Sequence, residues 1–124
     1  MNIKCGVDII EISRIKRSIE DLGDKFLNKV YTKQEIEYCE SKGKQKYQHY
    51  AARFAAKEAI FKAVSDSLGD KYELAWKDYE ILHDKNGRPV ANISKISDKI
   101  QDVEVSLSHC KEYAVANVIV LFKT

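Results

Sequence analysis

The chain has 124 residues, of which 44% are hydrophobic and 32% charged, a balance typical of a folded soluble domain. Its 21 basic and 19 acidic residues leave a formal net charge of only +2, which disfavours a dedicated nucleic-acid-binding protein. No apolar run reaches the roughly 18 residues of a membrane-spanning helix, and no signal-peptide core is present. We therefore expect one cytoplasmic domain over residues 1–124, without a membrane or nucleic-acid partner.

The three cysteines, Cys5, Cys39 and Cys110, agree with a reducing compartment. Their number is odd and no CxxC spacing occurs, which disfavours a disulfide framework and a standard zinc site. We expect reduced, partly buried thiols.

The first half of the chain predicts one strand followed by helices. Residues 3–10 are rich in β-branched side chains and predict a short buried strand that contains one acid, Asp8. Ser13 can cap a helix that continues to about Leu22, where Gly23 would end it.

Two further helices are predicted before residue 69. Thr32 and Glu35 form a capping-box pattern for a helix from about Lys33 to Ser41, and residues 42–46 predict a loop. The longest helix is predicted from about Tyr47 to Leu68, ended by Gly69. Its apolar side chains cover most of its circumference, so we expect it to be central and buried.

The second half of the chain predicts strands. The Asn-Gly pair at residues 86–87 is typical of a hairpin turn. The order of one strand, a run of helices and four strands favours an α+β fold over a doubly wound sheet. The predicted strands cover residues 72–83, 88–93, 104–109 and 113–122, with a short helical segment near 94–100.

Asp8 is the acid inside the first apolar strand. A solvent-exposed or amide-capping acid at a strand end is the more common explanation of such a residue. The alternative is a buried carboxylate, which is costly unless a cation or hydrogen-bond donors meet it. A metal ion would meet that requirement.

Glu58 and Lys62 lie one turn apart on the long helix. A surface pair at this spacing is a common arrangement and contributes only about 0.2–0.5 kcal/mol. The surrounding alanines and phenylalanines instead favour a site. Asp8 and Glu58 together would suit Mg²⁺, which favours one or two carboxylates plus substrate phosphates, and Lys62 would then face a phosphate.

His109 ends the strand predicted over residues 104–109. Period-two alternation places it on the face of Val105 and Leu107, so a core histidine is the more frequent explanation. Cys110 follows directly, but adjacent strand residues point to opposite faces, which disfavours a Cys–His dyad.

Separated segments of the chain resemble the signature of one family in the correct order. The family is the 4′-phosphopantetheinyl transferases, in particular their short bacterial type, and the resemblance spans the whole chain. The central segment resembles the motif F-A-x-K-E-A-x-x-K-A, which is highly specific. The segments are residues 6–8 (GVD) with Arg14 beyond them, 53–63 (RFAAKEAIFKA), 86–89 (NGRP), and 106–109 (SLSH) followed by 113–116 (YAVA).

The resemblance implies a Mg²⁺-dependent transfer of the 4′-phosphopantetheine arm from coenzyme A to a serine of apo acyl carrier protein, a step of fatty acid biosynthesis. Adenosine 3′,5′-bisphosphate would be released. Asp8 and Glu58 would be the Mg²⁺ ligands, and Lys62 would steady the pyrophosphate. Glu58, directly or through a metal-bound water, is the preferred base for the serine. The residues implied for the coenzyme A pocket are Arg53, Phe54, Lys62, Gly87, Pro89, Ser108 and His109.

The resemblance also implies partners for the chain. Two-domain relatives carry a further acid at the position of Ile10, so this chain matches the short type, which assembles as homotrimers with sites between subunits. Carrier proteins are strongly acidic, so Arg14 and Arg17 would dock the carrier. Asp21 and Asp24 oppose that assignment.

Two other function classes remain open at this point. A non-catalytic module of the same fold that binds carrier protein or nucleotide would not need Asp8, Glu58 and Lys62 together. A small RNA-binding protein would use the lysine-rich residues 42–46 followed by Tyr47, and its affinity would depend steeply on salt.

Overall fold

The computed structural model describes residues 2–68 and 74–124. The fold is α+β, as predicted, with an N-terminal strand, consecutive helices and then antiparallel strands. Gly69 and the beginning of the strand predicted over residues 72–83 lie outside the described residues. The elements are β1 (Asn2–Glu11), α1 (Ile12–Leu22), α2 (Asp24–Val30), α3 (Lys33–Glu40), α4 (Lys46–Leu68), β2 (Glu80–His83), β3 (Pro89–Asn92), β4 (Ile100–His109) and β5 (Tyr113–Phe122), with 3₁₀ turns at Gly43–Gln45, Trp76–Asp78 and Ser94–Ile96.

The main sheet is antiparallel, with the strand order β1-β5-β4. In the pairing of β1 with β5, Asp8 lies opposite Ala116. One face of the sheet packs against α4. The prediction of a buried first strand is correct only for this face. Ile3, Val7 and Ile9 alternate onto the opposite face and are each more than half exposed.

Helix α4 is central, as its composition predicts. All six alanines of its first five turns are buried, and they pack between the sheet and the shorter helices. Small side chains let the backbones of helix and strand approach closely. A Cβ atom at Gly6 would overlap the carbonyl oxygen of Ala59, so the glycine of the G-x-D segment is required by this contact.

The helix boundaries confirm some local predictions and correct others. Thr32 and Glu35 form both hydrogen bonds of the capping box. Gly23 ends α1 with φ +56°, and its amide donates to the carbonyl of Ile19. Ser13 is not the cap, because α1 begins at Ile12 after Glu11, whose side chain makes no capping hydrogen bond.

Other boundaries also differ from the prediction, and the strand predicted over residues 104–109 is β4, which begins at Ile100. The short helix α2 was not predicted, because its seven residues have no N-terminal side-chain cap. The strand predicted over residues 72–83 is β2, confined to Glu80–His83, because the 3₁₀ turn at Trp76–Asp78 precedes it.

The hairpin between β2 and β3 is confirmed. Its turn is closed by hydrogen bonds between the backbones of Asp84 and Arg88 and between those of Gly87 and Asp84. Gly87 supplies the one left-handed residue of this turn, with φ +80°. No helix in the described part of the chain is long and apolar enough to cross a membrane.

The cysteines agree with the expectation of reduced thiols. All three are free. Cys39 is buried, whereas Cys5 and Cys110 are exposed, so partial burial holds for only one of them.

Candidate active site

Asp8 and Lys62 meet at the junction of β1 and α4. The Nζ of Lys62 lies 3.1 Å from Oδ1 of Asp8 and also donates to the carbonyl oxygen of Val7 at 3.1 Å. The Asp8 carboxylate is mostly buried, with 19% of its side chain exposed, whereas the Lys62 side chain is 53% exposed. The carboxylate of Asp8 is therefore paired with a cation. Lys62 forms its ion pair with Asp8 and not with Glu58, one turn before it on the helix.

Glu58 is the second carboxylate at this junction. Burial and then repulsion by the Asp8 carboxylate raise its pKa, while Lys62 lowers it. The three charged groups therefore interact electrostatically. Since β1 and α4 are in contact through Gly6 and Ala59, the tertiary structure brings together the acids that the sequence separates by fifty positions.

A cavity of about 370 Å³ opens beside the Glu58 carboxylate. Its walls are mainly apolar, and the buried hydroxyl group of Tyr79 has no hydrogen-bond partner among the described residues. The residues that line the cavity are Glu58, Phe61, Leu74, Ala75, Trp76 and Tyr79.

Asp8 and Glu58 fit a Mg²⁺ ion by their donor chemistry. The described residues contain no group of three or more histidine, cysteine, aspartate or glutamate side chains arranged to hold a metal. Two carboxylates are nevertheless the usual protein contribution to a Mg²⁺ site whose remaining oxygens come from water and substrate phosphates.

Arg53 lies on another side of α4. Five residues, at about 100° each, separate it from Glu58 by about 140° around the helix axis. Its guanidinium group is buried, contacts the ring nitrogen Nδ1 of His83 at 2.9 Å, and lies 4.3 Å from the ring centre of Tyr38. Sequence reasoning missed His83 and Tyr38, because neither belongs to a motif.

His109 is not a core histidine, which corrects the prediction from strand alternation. It is exposed at the end of β4, and its ring centre lies 6.0 Å from that of His49 on α4. Ser108 precedes it and is also exposed. His109 therefore lies near the part of α4 that carries Arg53.

Phe54 faces away from Arg53 and towards α1. Its ring stacks on Trp76 at 4.8 Å and on Phe26 at 6.4 Å. It also lines a cavity of about 220 Å³ together with Arg14 and Arg17. The two proposed docking arginines thus share one surface with Phe54.

Gly87 and Pro89 lie in the turn and at the start of β3, next to His83 at the end of β2. The structure therefore brings this hairpin to the Arg53 side of α4. The residues predicted for the coenzyme A pocket consequently divide between two sides of the chain, with Phe54 and Lys62 separate from the Arg53 group.

Lys57 is a buried cation that the sequence did not assign to a function. Its Nζ lies 2.7 Å from a carboxylate oxygen of Glu35, and both side chains are fully buried. The only indication in the sequence was a lysine within the alanine-rich central motif. Its partner, Glu35, can be identified only from the tertiary structure.

Comparison with known proteins identifies the family of this chain. Residues 4–118 match the 4′-phosphopantetheinyl transferase superfamily. A holo-[acyl-carrier-protein] synthase of Ruminiclostridium cellulolyticum is 48% identical, with 97% of this chain and 92% of the relative covered. A synthase of the same name from Chloroherpeton thalassium is 43% identical, with 95% and 97% covered.

A solved structure has the same fold. The Helicobacter pylori holo-[acyl-carrier-protein] synthase in complex with coenzyme A superposes with a TM-score of 0.81 at 32% identity, covering 94% of this chain and 99% of that one. The chain therefore belongs to the 4′-phosphopantetheinyl transferase superfamily.

Proposed function

We propose that this protein transfers the 4′-phosphopantetheine arm of coenzyme A to a serine hydroxyl of apo acyl carrier protein, in fatty acid biosynthesis. Its relatives are named for this activity, and solved neighbours hold coenzyme A. The observation that carries the proposal is the convergence of Asp8, Glu58 and Lys62 at one junction between β1 and α4. A module that only binds a carrier or a nucleotide has no need for this set.

Glu58 serves as the base in this proposal. The serine oxygen forms a bond to the phosphorus of the arm, the pyrophosphate P–O bond breaks, and adenosine 3′,5′-bisphosphate leaves with the electron pair. The serine proton passes to the Glu58 carboxylate, directly or through water. The Glu58 carboxylate lies beside the Asp8–Lys62 pair and lines the cavity at this junction, which supports the assignment.

Lys62 binds the pyrophosphate. Its ammonium group is half exposed and already pairs with the Asp8 carboxylate, so it can meet substrate anions without leaving the junction. A cation fixed at this place stabilises the charge that develops on the leaving phosphate oxygen.

Asp8 and Glu58 would hold Mg²⁺, on the donor chemistry given above. The ion would supply charge neutralisation of the pyrophosphate oxygens. The carboxylates on β1 and α4 are held at their positions by the close contact of Gly6 with Ala59.

The protein assembles as a homotrimer in this proposal. The outer face of the main sheet supports it, because it carries large apolar side chains that are about half exposed: Ile3, Val7, Ile9, Tyr113 and Ile119. The division of the coenzyme A residues between two sides of α4 also supports a site to which two subunits contribute. Light scattering should give three times the 14.2 kDa chain mass. Ile119→Lys should yield a smaller species, and an unchanged trimer in that variant would remove the sheet face from the interface.

We also propose that the chain is one domain that works in the cytoplasm. The superfamily match over residues 4–118 supports one domain. Three free thiols and a role in fatty acid synthesis support a reducing compartment.

One experiment tests the proposed reaction. The protein is incubated with coenzyme A, Mg²⁺ and apo acyl carrier protein, and the carrier is weighed by mass spectrometry. The carrier should gain the mass of one phosphopantetheine arm, and omission of Mg²⁺ should abolish the gain. A carrier that stays unmodified with fully folded protein would contradict the proposal.

A further inference from the structure

Arg53 is a buried cation without a carboxylate partner among the described residues. Its side chain is 1% exposed, and none of the ion pairs in residues 2–68 and 74–124 includes it. Its Nε has no hydrogen-bond partner there, and one terminal nitrogen makes only a long contact of 3.4 Å with the carbonyl of His49. A buried guanidinium group with spare donors is costly unless an anion completes it.

His83 and Tyr38 hold the guanidinium group from two directions. The rings of these residues are stacked, with centres 4.5 Å apart and planes inclined by 13°. Arg53 lies over the Tyr38 ring at 4.3 Å, within the range of a cation–π contact, and donates from its other terminal nitrogen to Nδ1 of His83 at 2.9 Å. A guanidinium group can only donate, so Nδ1 must accept and the proton of the neutral ring lies on Nε2.

Burial and the neighbouring cations favour the neutral form of the His83 ring. Burial lowers its pKa, the cations of Arg53 and Lys42 lower it further, and Asp84 opposes them weakly. Glu37 lines the same cavity without an ion pair to Arg53. The neutral imidazole is therefore available as the acceptor for Arg53 at neutral pH.

A cavity of about 500 Å³ opens against this cluster. Its lining residue His83 pairs with Pro89 across the hairpin, and its lining residue Tyr38 lies 5.6 Å from His49, whose ring is 6.0 Å from that of His109. Pro89 and His109 are both implied for the coenzyme A pocket. The cavity is lined by Gln34, Glu37, Tyr38, Arg53, Leu82 and His83.

We infer that His83 and Tyr38 are positioning residues that orient the Arg53 guanidinium group towards a phosphate of the nucleotide part of coenzyme A. This inference rests on the proposed function. Arg53 contacts the substrate, whereas the imidazole and the phenol ring act through Arg53. The His83 imidazole accepts from one terminal nitrogen of Arg53 and so fixes the direction of the guanidinium group. The Tyr38 ring supports the plane of that group.

Two substitutions of His83 separate the hydrogen bond from the ring. His83→Phe keeps a ring on Tyr38 and removes the acceptor, whereas His83→Asn keeps an acceptor oxygen near the Nδ1 position and removes the ring. His83→Phe should raise the KM for coenzyme A about tenfold, the effect of one charge-assisted hydrogen bond, with kcat and the carrier KM within about twofold of wild type. His83→Asn should restore most of the coenzyme A KM. Asn92→Ala, exposed on the same hairpin, is the control.

The result that overturns the inference is a coenzyme A KM in His83→Phe equal to that of wild type. Equal losses for both substrates with a lower melting temperature would also overturn it, since the ring would then serve the fold. Calorimetric titration with adenosine 3′,5′-bisphosphate gives a second measurement without turnover. Weaker binding of adenosine 3′,5′-bisphosphate by His83→Phe than by wild type would support the positioning role. A wild-type protein that bound this nucleotide but failed to modify the carrier would contradict only the proposed function.

Discussion

The ammonium group of Lys57 and the carboxylate of Glu35 form an ion pair of 2.7 Å that is completely shielded from solvent. Lys57 also donates to the backbone carbonyls of Val30 at 2.8 Å and Trp76 at 3.2 Å. The second oxygen of Glu35 accepts from the amide of Ile81 at 2.8 Å. This ion pair and its hydrogen bonds thus connect α4 to α3, to the end of α2 and to β2. Lys57 directly precedes Glu58 in the sequence.

Lys57→Met should destabilise the fold strongly. The substitution leaves the buried Glu35 carboxylate without its cation and two backbone carbonyls without their donor, which should lower the free energy of unfolding by about 3–5 kcal/mol. Urea denaturation measures this loss. The double variant Lys57→Met/Glu35→Gln should recover part of it, and a double variant as unstable as the single one would show that the unpaired charge is not the cause.

Gly6→Ala should separate β1 from α4. The added methyl group would overlap the Ala59 carbonyl, and backbone cannot yield as a side-chain tip does, so we expect a loss of about 3 kcal/mol and reduced turnover. Gly43→Ala is the matched control, because its φ of +58° is strained for alanine but nothing lies within 4 Å. It should cost about 1 kcal/mol and leave turnover unchanged. Similar losses in both variants would argue against the close contact at Gly6.

Glu58→Gln should abolish turnover and leave the fold intact. The amide is of similar size to the carboxylate but cannot accept the serine proton, so kcat should fall at least about 100-fold. Asp66→Asn, an exposed acid on the same helix, should retain wild-type activity. Near-normal turnover of Glu58→Gln, measured by mass spectrometry of the carrier, would remove Glu58 from the mechanism.

Arg14→Ala should raise the KM for the acidic carrier about fivefold and leave coenzyme A binding unchanged. Arg14 and Arg17 share a cavity wall with Phe54, whereas Lys16 lies on another side of α1, 5.5 Å from the Tyr47 ring. Lys16→Ala removes the same charge and should change the carrier KM less than twofold. The Arg14 effect should shrink at high salt. Equal increases of the carrier KM in Arg14→Ala and Lys16→Ala would show that net charge alone, and not a docking contact of Arg14, determines carrier binding.

His49 should make the fold less stable in mild acid. Burial, followed by the neighbouring Arg53 and Lys42 cations, lowers its pKa to about 4. The unfolded chain binds a proton at His49 below about pH 6.5 and the folded chain does not, so stability is lost as pH falls from 6.5 towards 4. His49→Phe should therefore show a smaller decrease in its urea midpoint between pH 7 and pH 5 than wild type. Parallel decreases would contradict this assignment.

The sequence predicted correctly the helix ends that depend on interactions between neighbouring residues. The Thr32–Glu35 capping box and the stop at Gly23 depend on neighbouring backbone groups, so spacing alone reveals them. Helix α2 and the short strand β2 were missed or misjudged, because tertiary packing stabilises them more than their own residues do.

The site was predicted as a set of residues and not as an arrangement. The sequence predicted Asp8, Glu58 and Lys62 as one group and the structure places them at one junction, where the partner of Lys62 is Asp8 across the β1–α4 contact. Arg53 and Phe54 were assigned to one pocket, yet adjacent positions on a helix differ by about 100° and these residues line different cavities.

The order of the predicted elements determines the α+β class, and the motifs indicate the family and the residues proposed to carry the chemistry. Only the tertiary structure decides which charges meet, because the contacts Lys57–Glu35, Arg53–His83 and Lys62–Asp8 join residues 22, 30 and 54 positions apart. Such pairs depend on how β1, α3 and β2 pack around α4. Periodicity and capping describe interactions within one element, and they contain no information on which face of one element meets another.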